Sequence, residues 1–376
     1  MPAPPFSVSV REFVDFAHRT GDLGGDGRIL SSSRAVEGTR GHRKLQGSRG
    51  DDYRAEVGVE RTFERDGVSL RVVGRIDGLI DATVPPLVEE IKTVDAGWSG
   101  RADVLHLAQL RIYAAILAEQ NDWSQVEARL TYYDLDTERE SPFAEVEAAE
   151  TLASFLEATL ERWFEWLIPR EAWRAERNAS VEAMEFPLGG FRPGQRKLAA
   201  GVYRTTRDGG RLFAEAPTGT GKTLATLFPA AKALPLIDGQ IFYVTAKTPG
   251  RLAAQEALDH LRGAGARLRS VSLTAKRKIC FNADAKTGCD LRTCPFALGY
   301  YDRYKPAVRE LLTREKLDRP AIEKVAREHN VCPFELSLDA SNWTDVVIGD
   351  FNYVFDPTAR LQRHFENADQ RHVVLV

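Results

Sequence analysis

VEEIKTV, residues 88–94, is rich in Val and Ile and reads as a buried β-strand, yet it carries Glu90 and Lys92. Side chains two apart on a strand point to the same face, so a carboxylate and an ammonium share one side of it. Upstream, SLRVVGRIDGLID (69–81) alternates apolar and polar residues and is joined to VEEIKTV by ATVPP. That pattern predicts a hairpin or neighbouring strands, with Asp77 near Glu90. Two carboxylates held close repel one another unless a cation sits between them, and Mg²⁺ prefers one or two carboxylates plus water and phosphate oxygens. Lys92, on the same face, would orient or deprotonate an attacking water, or stabilise the charge that builds on a phosphodiester in the transition state. The residues suit a metal-dependent phosphodiesterase. Taken alone, Glu90 and Lys92 equally suit a salt bridge on a half-exposed strand.

Working outward, 376 residues with 43% hydrophobic content are enough for two or three domains. No apolar run approaches the roughly 18 residues that cross a bilayer, and MPAPPFSVSVREF lacks the features of a signal peptide, so a cytoplasmic protein is expected. A net charge of -3 does not advertise nucleic-acid binding, so such a partner has to be argued from local sites. From about residue 6 to 180 the chain reads as a helix-like start, a loop GDLGGDGRILSSSR (21–34), strand-like alternation over 54–94, and then long amphipathic helices. The stretch 143–177, with Trp163, Trp166 and Trp173, is expected to be helical. Pro and Gly in NASVEAMEFPLGGFRPGQ mark a boundary near 183. Beyond it RLFAEA, IFYVTA, DVVIGD and HVVLV, separated by helical stretches, have the rhythm of a parallel α/β sheet.

The order Asp77, Glu90, Lys92 resembles the PD-(D/E)XK nuclease superfamily, and within it the RecB-like branch. EGTRGHRKL supplies Gly38 and His42, like the Gly-x-x-x-His pattern of that branch, whose His is a metal ligand. DVLHLAQLRIYAAIL supplies Gln109 and Tyr113, four apart and hence on one helix face, like the Gln-x-x-x-Tyr motif after the catalytic strand. The resemblance implies a nuclease domain over 1–183 in which His42, Asp77 and Glu90 hold Mg²⁺ or Mn²⁺. It also implies catalytic roles for Asp77, Glu90, Lys92, Gln109 and Tyr113, with single-stranded or forked DNA as substrate.

In the second block, AEAPTGTGKTL fits a P-loop between an apolar strand and a helix, its first glycine replaced by Ala216. Backbone N–H groups of Gly219, Thr220, Gly221, Lys222 and Thr223 would cradle the phosphates of ATP, Lys222 would reach the β and γ groups, and Thr223 would bind Mg²⁺. The surrounding features resemble the DinG/XPD group of superfamily-2 helicases. Arg192 and Gln195 of FRPGQ look like a Q-motif that recognises adenine, although such residues also cap helices. In IFYVTAKTPGRLAAQ, Lys247 and Thr248 look like the residues of motif Ia that approach the DNA backbone.

The four cysteines, Cys280, Cys289, Cys294 and Cys332, all lie in this second block. In a cytoplasmic protein they suggest a metal or cluster site in place of disulfides, and four thiolates suit Zn²⁺ and iron-sulfur alike. The helicase resemblance implies a [4Fe-4S] cluster in an insert at about 273–335. Near it, Lys276, Arg277 and Lys278 would meet phosphates, and Phe296, Tyr300, Tyr301 and Tyr304 would stack on unpaired bases. The plainer reading makes these a solvated charge run and core aromatics. RHVVLV resembles the strand that leads into an Asp-Glu-Ala-His box in these helicases.

The expected architecture is therefore α/β throughout: a PD-(D/E)XK nuclease domain, then a RecA-like P-loop lobe over 184–376 with an inserted cysteine-ligated domain. The second helicase lobe lies outside this chain. The expected function is that of the N-terminal part of a nuclease-helicase that moves 5′ to 3′ on DNA, the chain alone binding nucleotide weakly and not unwinding. The alternative is a DNA-binding module or ATPase switch with an inactive nuclease fold. No membrane partner is expected.

Overall fold

Ser9 ends strand β1 (Phe6–Ser9) and starts helix α1 (Val10–His18) through a capping box. Its hydroxyl accepts from the Glu12 N–H at 3.1 Å, and the Glu12 carboxylate accepts from the Ser9 N–H at 2.9 Å. The computed structural model describes residues 5–24, 32–95, 97–217, 219–237, 239–282, 289–365 and 371–376, without the side chains of 32–36. Two compact units divide the chain: 1–19 with 26–171, and 20–25 with 172–376.

In the first unit α1 is followed by α2 (Ser32–Gly47), β2 (Arg54–Arg65), β3 (Val68–Ile80), β4 (Leu87–Val94), α3 (Val104–Gln120), β5 (Gln125–Asp134), β6 (Glu140–Ala148) and α4 (Ala149–Ala183). The expected loop 21–34 includes residues 25–31, which lie outside the described residues, and Ser32 already begins α2. The sheet order is β1-β3-β4-β5-β6, with β2 paired to the far side of β3. β3 and β4 are antiparallel neighbours, as the alternation on either side of ATVPP predicts. Their ladder covers only Gly78↔Glu89 to Ile80↔Leu87, while β1 pairs with β3 from Leu70 to Val73. Between the two, residues 74–77 have no ladder partner on that edge, and the sheet forks there.

β5 and β6 correct the expectation of helices after residue 94 and across 143–177. β5 runs parallel to β4 from Leu87↔Glu127 to Val94↔Asp134, and β6 pairs antiparallel with β5. The Glu and Ala of β6 favour helix locally, but pairing along a formed strand overrides that preference. α3 and α4 supply the helical layer, with Ile112, Ile116, Leu152 and Leu167 fully buried against Leu70, Val72, Ile76 and Leu130. Each such side chain contributes roughly 1.5–3 kcal/mol by burial.

In the second unit the elements after α4 are α5 (Gln195–Asp208), α6 (Lys222–Ala233), β7 (Ile241–Val244), α7 (Thr248–Gly263), β8 (Ser270–Ser272), α8 (Lys276–Ile279), α9 (Tyr300–Leu311), β9 (Lys316–Leu317), α10 (Arg319–Glu328), α11 (Pro333–Ser341), β10 (Val346–Gly349), α12 (Asn352–Phe355), α13 (Gln362–Phe365) and β11 (Val373–Leu375). The sheet is wholly parallel, in the order β11-β7-β10-β8-β9. The cysteine-bearing stretch falls between β8 and β10, which are sheet neighbours, and its own β9 extends the same sheet beyond β8.

One expected strand is absent. Residues 211–217 form no ladder, and Phe213 is 93% exposed. Both edges of β7 are occupied by β11 and β10, and β11, three residues long, offers its outer edge too few hydrogen bonds to offset the ordering of another segment.

The unit boundary falls inside α4, not at its end near 183. Trp173 Nε1 donates to Asp345 Oδ2 at 3.0 Å, and Arg177 Nη1 pairs with Asp345 Oδ1 at 3.0 Å, both buried. Those bonds tie 172–183 to the second sheet. Nearby, His364 is buried against the Ser341 hydroxyl at 2.8 Å, and burial, with the adjacent Arg363 charge, lowers its pKa to about 3. The unfolded imidazole, at 6.5, therefore takes up a proton first as pH falls. Stability present above pH 6.5 is lost progressively toward pH 3. Urea midpoints measured from pH 7 to 4 should fall more steeply than in His364→Gln, and identical slopes would contradict this assignment. Among the described residues no helix is long and apolar enough to cross a membrane.

Candidate active site

The fork between β3 and β4 is where the sequence-derived residues meet. Asp77 sits on the unpaired stretch of β3, and its Oδ2 accepts the Ile91 N–H of β4 at 2.7 Å, filling the missing rung with a carboxylate. Its Oδ1 lies 3.2 Å from His42 Nδ1. His42 is carried by α2, which packs closely because Gly38 and Gly41 face Thr93, Tyr133 and Leu135 with no room for side chains.

On the face of β4 turned away from Ile91, Glu90 is buried and Lys92 half-buried, and the Gly78↔Glu89 register sets Asp77 across from Glu90. Lys92 Nζ donates to Glu90 Oε1 at 2.7 Å and to Gln109 Oε1 at 3.0 Å, and Gln109 Nε2 donates to Glu90 Oε1 at 2.8 Å. This closed triangle uses one carboxylate oxygen only. Glu90 Oε2 is buried and, among the described residues, has no hydrogen-bond partner. Burial pushes the Glu90 pKa up to about 7, with Lys92 opposing and the Asp77 charge adding to the rise. A buried carboxylate oxygen without a donor is costly, and a cation is one partner that would satisfy it.

Tyr113, one turn beyond Gln109 on α3, is buried with its hydroxyl over Gly74 at the start of the fork, and burial raises its pKa. His106, one turn before Gln109, was not anticipated. Its Nδ1 bonds the Tyr132 hydroxyl at 2.9 Å, and burial together with the Lys92 charge lowers its pKa to about 4. Helical spacing of 106, 109 and 113 was the available signal. The fork thus brings Asp77 to His42 and Glu90 to Lys92 and Gln109. Among the described residues, however, no three His, Cys, Asp or Glu side chains converge closely enough to hold an ion as they stand.

At the P-loop, Gly219 and Gly221 adopt positive φ and Gly221 caps α6, so Lys222 and Thr223 open that helix. Thr218 lies outside the described residues. Lys222 Nζ donates to the Ala216 carbonyl at 2.8 Å. Gln195 Nε2 donates to the Thr220 carbonyl at 2.8 Å and Arg192 Nη1 to the Gly219 carbonyl at 3.1 Å, so both expected adenine readers brace the loop's backbone. Lys247 and Thr248 are exposed at the start of α7.

The four cysteines are free thiols: Cys289 exposed, Cys280 and Cys294 half-buried, Cys332 buried. Burial pushes the Cys332 thiol up to about 11, against the pull of the Glu335 and Phe334 backbone N–H groups at the start of α11. Burial lowers the Lys276 ammonium's pKa, but the neighbouring Cys289, Glu335 and Cys332 raise it by more. A cation beside two of the four sulfurs suits thiolate ligation. Residues 283–288 of this segment lie outside the described residues. Tyr300 is corrected: it is fully buried and donates to Asp339 at 2.6 Å, so it has no face for a base, while Phe296, Tyr301 and Tyr304 remain half-buried.

Residues 19–188 match the PD-(D/E)XK nuclease superfamily, and residues 254–376 match the DEAD_2 family. The chain joins a PD-(D/E)XK nuclease domain to a DEAD_2 helicase domain. The nuclease match contains the whole fork site; the DEAD_2 match contains all four cysteines, and the P-loop falls between the two. Among solved structures, the chain is similar to the crystal structure of SSO0001, at 21% identity and a TM-score of 0.29, over 42% of this chain and 77% of that one. It is also similar to an XPD helicase, at 21% identity and a TM-score of 0.35, over 50% and 32%. A truncated XPD matches at 19% identity and a TM-score of 0.32, over 47% and 51%. The chain spans about a third of the first XPD's length and about half of the second's. No curated protein matches it.

Proposed function

We propose that the first domain hydrolyses DNA phosphodiesters with a divalent cation, Mg²⁺ or Mn²⁺, held by Glu90, Asp77 and His42. The observation that carries this reading is Glu90 Oε2, buried and without a donor beside the Lys92–Gln109 pair. The bound cation would supply Lewis-acid polarisation of the phosphate and neutralise its charge. Gln109 holds Lys92 and Glu90 in one geometry, so the ammonium is pre-oriented toward a phosphate or its attacking water. Tyr113 closes the apolar side of the fork and excludes water there.

In the second domain, over 184–376 with the 172–183 helix packed onto it, the P-loop from Gly219 to Thr223 would bind ATP. Cys280, Cys289, Cys294 and Cys332 would hold a [4Fe-4S] cluster, for which the cation beside two of the sulfurs is the support. In a longer protein, ATP-driven 5′-to-3′ movement would deliver single-stranded or forked DNA to the cutter, inside the cytoplasm.

Incubation of the chain with end-labelled single-stranded and forked DNA in Mn²⁺, and in a chelator, tests the nuclease. Cutting in Mn²⁺ alone, unchanged in Lys222→Ala, is expected. DNA binding without cutting in Mn²⁺ would replace the reading with a binding module.

A further inference from the structure

Glu90 has a neighbour that its function does not use. Glu89 points to the other face of β4, is fully buried, and is satisfied completely. Arg49 grips it with two bonds, Nη2 to Oε1 at 2.7 Å and Nε to Oε2 at 3.3 Å. The Thr131 hydroxyl of β5 donates to Oε1 at 2.6 Å, and Arg49 Nη1 also reaches Glu140 of β6 at 3.0 Å. Tyr53 lies beside the same carboxylate, its phenol pKa raised by burial and by the Glu89 charge, and its ring occupies the space that a side chain at Gly78 would need. Arg49 lies two residues past the end of α2, whose Gln46 donates to the Asp77 carbonyl at 3.0 Å and whose His42 meets the Asp77 carboxylate.

The connection is mechanical. Among the described residues, the apolar anchor of the helix that carries His42 is Leu45 against Ile91, Tyr133 and Leu135. A bidentate guanidinium–carboxylate pair fixes distance and angle together, which a hydrophobic contact does not. The pair joins the end of α2 to the strand that presents Glu90 on its other face, so it sets the separation between His42 and Glu90.

We infer that Arg49 and Glu89 are positioning residues for the proposed metal site, holding the His42–Asp77 half in register with Glu90. This rests on the metal-site reading above. Loosening the pair should weaken cation binding about 10–100-fold, as loss of outer-shell partners does at metal sites, while leaving the rate at saturating cation largely intact.

The test is Mn²⁺ binding, followed by the EPR signal of the free ion, for the intact chain and for Asp77→Asn, Arg49→Lys and Thr131→Val. Folding of each is checked by circular dichroism at the assay temperature. Expected are loss of binding in Asp77→Asn, a dissociation constant raised about 10-fold or more in Arg49→Lys, a smaller rise in Thr131→Val, and recovery of DNA cutting by Arg49→Lys in excess Mn²⁺. Thr131→Val removes one donor that holds Glu89 in the pair without stranding a charge, so if Arg49→Lys does not fold, wild-type Mn²⁺ affinity in Thr131→Val alone overturns the inference. Wild-type affinity in Arg49→Lys and Thr131→Val, with binding lost in Asp77→Asn, would overturn the inference and leave the metal site standing. Wild-type affinity in Asp77→Asn would overturn both.

Discussion

Glu90→Gln should remove Mn²⁺-dependent DNA cutting, with a rate loss of about 10³-fold or more, while the chain stays folded. The amide keeps the shape and still accepts from Lys92 Nζ and Gln109 Nε2 through one oxygen, as Glu90 Oε1 does now. What it loses is the charge on the unpartnered Oε2, the atom assigned to the cation. Lys92→Ala is expected to cost about 10²–10³-fold for a different reason. It removes the oriented ammonium and leaves the Glu90 carboxylate buried with Gln109 as its remaining partner among the described residues, so burial favours its protonated form more strongly. Single-turnover cutting rates, beside Mn²⁺ binding, separate the two: binding is lost in Glu90→Gln and weakened in Lys92→Ala.

Asp345→Ala should destabilise the second unit by about 3–5 kcal/mol, the cost of leaving a buried charge without its partner. Asp345 is 5% exposed and serves three donors: Arg177 Nη1, Trp173 Nε1, and the Arg269 N–H at 2.7 Å. Truncation to Ala strands the Arg177 guanidinium, itself 3% exposed, and leaves two further donors buried. Because a domain of this size is stable by only about 5–15 kcal/mol, the loss approaches the whole. Urea unfolding followed by circular dichroism gives the number, and Asp345→Asn, which keeps the acceptor geometry with one oxygen, should lose less. The same bonds predict that a fragment starting at 184 is much less stable than one starting at 172. Equal midpoints for the two fragments would contradict the packing assigned to Trp173 and Arg177.

What was legible in the sequence follows from how local each signal is. Glu90 and Lys92 share a face because a strand has period two, and Gln109 and Tyr113 share one because a helix turns every 3.6 residues. Asp77 was legible as a neighbour of Glu90, but not its insertion into a fork, which depends on where β1 stops and β4 begins along β3. Glu89 and Glu90 are adjacent and chemically identical; the strand period sets Glu90 beside Lys92, while the hold of Arg49 and Thr131 on Glu89 is made by the fold alone. β6 escaped notice because Glu145, Glu147 and the alanines around them favour helix in isolation, whereas β5, QVEARLTYYD, carries Val, Thr and Tyr that favour a strand. Tyr300 reads equally as a base-stacking or a core aromatic, and Asp339, 39 residues away, decides for the core by giving its hydroxyl a buried partner. The apolar run 211–216 is the reverse case: a strand by pattern, it has no edge with enough ladder to hold it.

The fork of β3 and β4 is the cation-dependent DNA-cutting site proposed above. Its most direct test is the single-turnover rate of cleavage of end-labelled single-stranded DNA at saturating Mn²⁺, measured for the chain and for Glu90→Gln side by side. Cutting by the first and none above background by the second are expected; equal rates for the two would remove Glu90 from the proposed site.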